Sequence, residues 1–243
     1  MMQKTEAIVL HSIRYGDHRL IVDMFTRSQG RLSFAVPLPA HGGSKSRVRK
    51  QLFQPLTLLN IETDIRPTKQ LQRLSDASIL LPYSTLQSDP SKLAISLFVA
   101  EFLYHALRGE QRDELLFDYI RSGMEWLDSS QGRYANFHLV FPMRLSRFLG
   151  FQPNLEQAGD YFDLRAATFC EHPPLHRDFL QPEEAAHIRL LMRMDFGTMH
   201  LFRLNNHERT RILEVIILYY RLHLPQFPEL RSLPVLTELF RSV

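Results

Sequence analysis

The stretch that decides the fold is LIVDMFTRSQGRLSFAVPL, residues 20–38. Its first seven residues are mostly apolar and rich in branched side chains, and SQG supplies a turn. After the turn, Leu32, Phe34 and Val36 alternate with smaller or more polar neighbours, which is the period of a strand with one buried face. The stretch therefore predicts two strands joined by a short turn.

Extended patterns lie on both sides of this stretch. TEAIVLHSI precedes it, and LFQPLTLLNIE and LQRLSDASIL follow it. Pro55 favours an edge or a bend in the fourth segment rather than a helix. Five short strands joined by turns predict a small barrel, and the OB-fold, which commonly binds single strands or oligosaccharides, has this strand count.

Beyond residue 80 the apolar residues repeat at helical spacing. Asp89 suits the N-cap of a first helix and Pro90 its first position. Further helices are predicted at 112–127, 134–149, 183–194, 206–223 and 235–240, whereas the proline-containing segment 151–181 is predicted to be irregular. The expected fold class is α+β and multidomain, with an N-terminal OB-fold β-barrel over residues 1–80 and an all-α helical bundle over 81–243.

Charge is unevenly distributed along the chain. Residues 1–80 carry 12 Lys+Arg against 6 Asp+Glu, whereas the rest of the chain carries 17 against 20. A basic front and a mildly acidic back are typical of a polyanion-binding module attached to a different kind of domain, with chance scatter as the alternative.

The densest run of cations is GGSKSRVRK, which supplies Lys45, Arg47, Arg49 and Lys50. A phosphate-binding P-loop needs G-x-x-x-x-G-K-[ST] ahead of a helix, but Ser44 separates the second glycine from the lysine. We therefore interpret residues 45–50, the basic segment, as an arm that follows a phosphate chain, with a solvated loop as the alternative.

Other candidate contacts lie near the first two turns. Arg14 and Arg19 flank the first turn, and Arg27 and Arg31 flank the second. Aromatic rings can stack on nucleic-acid bases, and the candidates are Tyr15, Phe25, Phe34 and Phe53. Core packing is the alternative for Phe25 and Phe34.

The sequence shows no assembled nucleophile–base pair, so an enzyme is not expected. Its one cysteine, Cys170, favours a reducing, cytoplasmic setting. Cys170, His172 and His176 are residue types that bind zinc, but a structural site needs four ligands and the fourth would have to come from a distant group. No apolar run reaches the ~18 residues of a membrane span.

The order and spacing of these segments resemble the RecO family of bacterial DNA repair and recombination-mediator proteins. The resemblance begins at AIVLHSIRYGDHRLIVDMFTRSQGRLSFAVPLPA and continues through LFQPLTLLNIE and LQRLSDASIL. In the helical half, RLSRFLGFQPN and the closing LEVIILYYRLHLPQFPELRSLPVLTELF are similar to the same family. The resemblance covers nearly the whole length.

The resemblance implies a cytoplasmic, nucleoid-associated protein that binds single- and double-stranded DNA and anneals complementary strands. With RecR, such a protein helps RecA to displace single-strand-binding protein. The DNA contacts implied are Arg27, Arg31, Lys45, Arg47, Arg49 and Lys50, together with Arg14 and Arg19. Many members carry a four-cysteine zinc knuckle, but segment 151–181 keeps only Cys170, so no cofactor is expected.

The family also binds the acidic, apolar-ended tail of single-strand-binding protein. Arg144, Arg147 and Phe148, ahead of Gly150, offer cations beside an apolar side chain for such a tail. The alternative function is a protein-interaction adaptor whose basic segment contacts an acidic protein partner rather than DNA. Salt-dependent binding of an unstructured oligonucleotide distinguishes the two.

Overall fold

The computed structural model describes residues 2–16, 18–38, 51–66, 68–109 and 111–241. The chain divides into two compact units, Met1–Asp128 and Ser129–Val243. The first unit holds the barrel and the helices that follow it up to Asp128, and the second holds a small sheet and the later helices. The predicted domain boundary after residue 80 stays a prediction. Within the described ranges, no helix combines the length and the apolar character that crossing a membrane requires.

The first unit is built around a closed barrel of five strands: β1 (Met2–Tyr15), β2 (Arg19–Thr26), β3 (Gly30–Pro37), β4 (Leu58–Asp64) and β5 (Leu71–Leu81). Around the barrel the strands follow the order β1-β2-β3-β5-β4. β3 and β5 are parallel, and the other neighbouring pairs are antiparallel. The predicted fold class, a barrel followed by a helical region, is confirmed.

The alternation in residues 20–38 fills the barrel. Leu20, Val22 and Met24 of β2 are buried in its core, together with Phe34 and Val36 of β3. They share the interior because every second side chain of a strand points to the same face. The hydrophobic pattern of the deciding stretch therefore sets which side of these two strands faces inward.

The fourth strand begins later than the extended pattern predicts. The pattern started at Leu52, whereas the strand starts at Leu58. The chain turns between these points, and Leu56 has a φ of 66°, in the left-handed region, which ends any extended run. Phe53, ahead of the turn, is only 2% exposed and packs into the barrel core. The prediction was wrong for residues 52–57.

After β5, the described residues of the first unit form two helices, α1 (Pro90–Ala106) and α2 (Glu114–Ser129). Asp89 is the N-cap of α1, as predicted, and its Oδ1 accepts hydrogen bonds from the amides of Ser91 and Lys92 at 2.8 and 3.1 Å. Capping satisfies backbone donors that have no partner inside the helix.

The connection between β5 and α1 is tied to the end of α2. The carboxylate of Asp128 accepts from three consecutive backbone amides, those of residues 84–86, at distances between 2.7 and 3.1 Å. The buried Lys92 donates from Nζ to the Thr85 hydroxyl and to the Asp128 carbonyl oxygen, at 2.6 and 2.8 Å. The barrel, the connection and both helices therefore form one packed unit.

The second unit contains four α-helices within its described residues: α3 (Phe137–Leu145), α4 (Pro182–Arg193), α5 (Asn206–His223) and α6 (Leu233–Arg241). A capping box at Asn205 and Glu208 begins α5 where the sequence predicts it. α3 is shorter than the predicted 134–149, since residues 146–150 form turns and Gly150 has a φ of 84°.

Segment 151–181, predicted to be irregular, contains short strands that the prediction did not include. It holds a three-stranded antiparallel sheet of order β7-β6-β8, with β6 (Tyr161–Asp163), β7 (Thr168–Cys170) and β8 (Phe179–Leu180). Phe162, Phe169 and Leu180 are buried. Strands of two or three residues are too short to show a period in the sequence, which is why the sheet was missed.

Candidate nucleic-acid interface

The basic segment, Lys45, Arg47, Arg49 and Lys50, lies outside the described residues, so the prediction that it contacts DNA stays a prediction. Gln51, the first described residue after this gap, directly follows Lys50 in the sequence. The next two residues, Leu52 and Phe53, line a cavity on the barrel. The basic segment is therefore continuous in sequence with one wall of that cavity.

Exposed cations line two adjoining cavities along β5. The first, of about 500 Å³, is lined by Arg19 of β2 and Arg73 of β5. The second, of about 830 Å³, is lined by Arg66 and Lys69 of the β4–β5 turn and again by Arg73. We call this surface the cationic groove and define it by Arg19, Arg66, Lys69 and Arg73. All four residues are exposed.

Two carboxylates share these cavities, Asp64 and Asp76. The Arg66 side chain contacts Asp64 Oδ2 through Nε at 3.2 Å, and this arginine is 61% exposed, so water screens the pair. Four cations against two carboxylates leave an excess of positive charge along the groove. Such an excess attracts a polyanion over several ångströms at low ionic strength.

A buried glutamine holds the turn that carries two of these cations. Gln72 is 3% exposed, and its Oε1 accepts from the Arg66 amide at 2.9 Å. Its Nε2 donates to the carbonyl oxygens of Arg66 and Lys69. Both backbone groups of Arg66 and the carbonyl of Lys69 are thus fixed to β5. Gln72 positions the two cations without itself being available to a ligand.

Arg14, Tyr15 and Arg19 lie at the β1–β2 turn. Tyr15 is 63% exposed and pairs across the strands with Arg19. Arg14 is exposed and donates from Nε to the Gly16 carbonyl oxygen at 3.2 Å. Tyr15 is therefore the predicted stacking residue that a base could reach. Phe25, Phe34 and Phe53 are buried core residues.

Arg27 is engaged by the protein's own groups. Its Nε contacts Glu6 at 2.8 Å and its Nη2 contacts Asp118 at 2.5 Å, while the guanidinium lies 4.7 Å over the Phe117 ring. The hydrogen bond to Asp118 is the largest cause of the raised pKa of Arg27. The side chain is 27% exposed. It links the β2–β3 turn to β1 and α2, and the two carboxylates offset its charge.

Arg31 has a similar structural role. Its Nη1 donates to the Tyr104 carbonyl oxygen at 2.5 Å and its guanidinium lies 4.6 Å over the Tyr104 ring. Asp23 lies 3.8 Å from Nη2, and the Arg31 side chain is 14% exposed. The geometry favours a role for Arg27 and Arg31 in joining helices to the barrel. DNA contact at either residue stays a prediction.

The three residues predicted for the tail of single-strand-binding protein do not share a helix. Arg144 lies in α3 and its Nε donates to the Met194 carbonyl oxygen at 2.6 Å. Arg147 is exposed and Phe148 is half-buried, and both lie in the turns after α3. Arg144 is thus hydrogen-bonded to the backbone at Met194, whereas Arg147 is exposed to water.

Segment 151–181 shows no zinc geometry. Within the described part of the chain, no group of three or more His, Cys, Asp or Glu side chains is arranged to hold a metal. The ring Nε2 of His176 lies 3.3 Å from Asp163 Oδ2, and burial raises the pKa of the Cys170 thiol, which disfavours the thiolate that zinc requires. The residues present do not fit the four-cysteine zinc knuckle that many RecO proteins carry.

Packing holds this segment instead. Arg189 of α4 lies 3.6 Å over the Phe169 ring and donates to the Gly159 carbonyl oxygen at 2.8 Å. Gly159 has a φ of 143°, and a Cβ there would lie 2.2 Å from backbone atoms of Cys170. Only glycine fits this contact between the loop before β6 and the backbone of β7.

These features define a class of protein. The chain is a two-part α+β protein whose first part is an OB-fold barrel with an exposed cationic groove, and its second part is mainly helical. Barrels of this kind bind oligonucleotides or oligosaccharides.

Comparison with known proteins identifies the family. Residues 1–83 match the family model described as Recombination protein O N terminal, and residues 87–234 match Recombination protein O C terminal. DNA repair protein RecO of Bacteroides fragilis is 51% identical over 243 residues, 99% of this chain and 100% of the relative. The RecO proteins of Phocaeicola vulgatus and Porphyromonas gingivalis are 50% and 34% identical, with the same coverage.

The chain belongs to the RecO family, whose members act in DNA repair and recombination.

Proposed function

We propose that this protein is a DNA-binding recombination mediator that anneals complementary single strands. The observation that carries the proposal is the cationic groove, where four exposed cations outnumber two carboxylates on an OB-fold barrel. The basic segment directly precedes Leu52 and Phe53, which line one cavity of this groove, and it adds four more cations close to the groove in sequence. Family membership adds support, because relatives sharing half of the residues are named DNA repair proteins.

Annealing by such a surface needs no covalent chemistry. Two single strands repel each other through their phosphates, and neutralising phosphates lowers the free energy of bringing them together. Each phosphate held by a lysine or arginine also releases a counterion, which favours binding at low salt. Tyr15, exposed beside Arg19, supplies a face on which a base can stack. We therefore propose a protein that is not an enzyme.

Its partners are proposed from the family. With RecR, the protein would help to load RecA onto DNA coated with single-strand-binding protein. The tail of single-strand-binding protein would contact Arg144, Arg147 and Phe148, with the exposed Arg147 as the main cation. These partners place the protein in the bacterial cytoplasm, at the nucleoid.

The test is annealing of complementary oligonucleotides, bare or coated with single-strand-binding protein. The groove variant carries Arg19→Glu, Arg66→Glu and Arg73→Glu, and the segment variant reverses Lys45, Arg47, Arg49 and Lys50. The matched control reverses two exposed arginines of the second unit, Arg177 and Arg203.

The proposal predicts that both variants lose most of the annealing rate and that the control keeps it. Annealing at the wild-type rate by both variants would reject the proposal and favour the adaptor function. A separate variant, Arg147→Glu, tests the tail contact. If this variant anneals bare strands at the wild-type rate but no longer anneals coated strands, the proposed tail contact is supported. Wild-type rates for Arg147→Glu on coated strands would reject that contact alone.

A further inference from the structure

Three apolar side chains lie together on the outer face of the barrel. Ile13 and Tyr15 of β1 are 46% and 63% exposed, and Ile21 of β2 is half-buried. Leu20 and Val22, on either side of Ile21, point into the barrel core, so Ile21 points outward. We call Ile13, Tyr15 and Ile21 the apolar strip. Isolated exposed apolar residues are ordinary, so the surroundings of the strip decide whether it has a function.

The pairing of the strands leads from the apolar strip into the cationic groove. Ile13 pairs with Ile21, Ile21 pairs with Ala35, and Ala35 pairs with Arg73. Neighbouring strands lie roughly 4.8 Å apart, so this row of four residues spans about 14 Å of the barrel surface. Ala35 and Arg73 line both cavities of the cationic groove. The strip and the groove are therefore one continuous surface.

The two long sides of the strip differ in charge. On one side Tyr15 pairs with Arg19, which is exposed and belongs to the cationic groove. On the other side His11 pairs with Asp23, and both residues are half-buried. The exposed positive charge thus lies beside the strip at Arg19 and at its far end at Arg73. A ligand with negative charge along one side and apolar groups along the other matches this arrangement.

Single-stranded DNA has this combination of groups. Its phosphates form a charged backbone, and its unpaired bases offer ring faces that stack on aromatic side chains. In a duplex the same ring faces are stacked on one another inside the helix, and only the phosphates and the base edges in the grooves are exposed. The cations of the groove can hold the phosphates of either form. The apolar strip has a contact to offer to the single strand alone.

We propose that the apolar strip makes the barrel select single-stranded over double-stranded DNA. The inference rests on the proposed function and deepens it: the phosphates lie along the cationic groove while unpaired bases lie against Tyr15 and Ile13. When two strands pair, their bases turn toward each other and leave the strip. The duplex is then held through its phosphates only, so the product of annealing dissociates more readily than the strands from which it forms.

The test compares three DNA probes that bind to the full chain, with fluorescence anisotropy as the readout. The probes are an oligothymidylate of about 16 nucleotides, near the largest site of one OB-fold, an abasic strand of the same length, and a duplex of that length. The abasic strand keeps the phosphates but lacks the bases. The wild-type protein binds the oligothymidylate more tightly than the abasic strand.

Two variants of the strip reduce this difference between the probes. Tyr15→Ala weakens binding of the oligothymidylate about tenfold, the effect of one lost stacking contact. Ile13→Thr weakens it about threefold, since it loses apolar contact area but keeps a branched side chain that suits a strand. Neither variant weakens binding of the abasic strand or the duplex. The slope of log affinity against log salt stays unchanged, because no phosphate contact is lost.

Two further variants serve as controls. Tyr15→Phe restores the aromatic ring and therefore restores most of the affinity for the oligothymidylate. Ile79→Thr makes the same substitution as Ile13→Thr at an isoleucine of β5 that is 49% exposed and lines neither cavity of the cationic groove. This variant binds all three probes as the wild-type protein does.

The results that overturn the inference differ from those that overturn the proposed function. Wild-type affinity for the oligothymidylate in both Tyr15→Ala and Ile13→Thr would reject the strip and leave DNA binding by the groove intact. Equal weakening on all three probes would show that the substitutions disturb the groove or the fold rather than a base contact, and would also reject the strip. If the wild-type protein bound none of the probes, the proposed function itself would be rejected, and this inference with it.

Discussion

Replacing Gln72 by methionine tests how the cationic groove is built. Methionine keeps the length of the side chain but removes all three hydrogen bonds that the carboxamide makes with Arg66 and Lys69. At about 1 kcal/mol net for each bond, the free energy of unfolding of the first unit falls by about 3 kcal/mol. The loss is large because Gln72 is buried, so water cannot replace the three lost hydrogen bonds.

Urea unfolding followed by Trp126 fluorescence measures this loss. Trp126 is the sole tryptophan of the chain and lies in α2 of the first unit. The slope m should stay unchanged while the midpoint falls. Gln70→Met is the matched control, since Gln70 is exposed and lies just ahead of β5. Equal midpoints for the two variants would refute the inference that Gln72 holds the turn.

The same variant connects stability with DNA binding. A loosened turn no longer presents Arg66 and Lys69 together, so the slope of log affinity against log salt becomes shallower by up to about 1.4, at about 0.7 for each lost phosphate contact on a single strand. A stability loss with an unchanged salt slope would show that these two cations do not contact DNA.

Three further predictions concern stability. Burial lowers the pKa of His138 to about 3, so on acidification the unfolded state takes up a proton before the folded state does. The contribution of neutral His138 to the free energy of unfolding is complete above pH ~7 and falls by about 1.4 kcal/mol per pH unit below pH ~6.5. Thermal melts from pH 7 to 5 should show a decline in Tm that His138→Asn reduces, and identical profiles for the two proteins would contradict this. Gly159→Ala puts a Cβ against the backbone of β7 and should lower the free energy of unfolding by about 3 kcal/mol. The expected result is a lower midpoint of the unfolding transition followed by near-ultraviolet circular dichroism, and an unchanged midpoint would contradict it. Arg27→Gln breaks the contacts with Glu6 and Asp118 and should lower the free energy of unfolding in urea by about 1 kcal/mol. The slope of log affinity for DNA against log salt should stay unchanged, and a shallower slope would instead show that Arg27 contacts DNA.

Local patterns in the sequence predicted much of the fold. The alternation after Arg31 and the cap at Asp89 depend on neighbouring residues only, and the structure confirms both. The sheet in segment 151–181 was missed because its strands are only two or three residues long. The late start of β4 was missed because Leu56 carries no sequence signal for a positive φ.

The candidate site was harder to predict than the fold. The sequence shows where the basic residues are, but it does not show which carboxylates they contact in the folded protein. Arg27 is a basic residue beside a turn, yet its partner Asp118 lies 91 residues away. Arg66, Lys69 and Arg73 were not singled out, since they are scattered over eight positions without a motif. A basic residue at every third or fourth position around the β4–β5 turn was the only available signal.

The most direct test of the central claim is a salt titration of single-stranded DNA binding, with an unstructured oligonucleotide and fluorescence anisotropy. The account predicts that replacing Arg19, Arg66, Lys69 and Arg73 by glutamine makes the slope of log affinity against log salt shallower by about 2.8, at about 0.7 per contact. The Arg177→Gln, Arg203→Gln control should keep the wild-type slope. The same slope in all three proteins would contradict the claim that the cationic groove binds DNA.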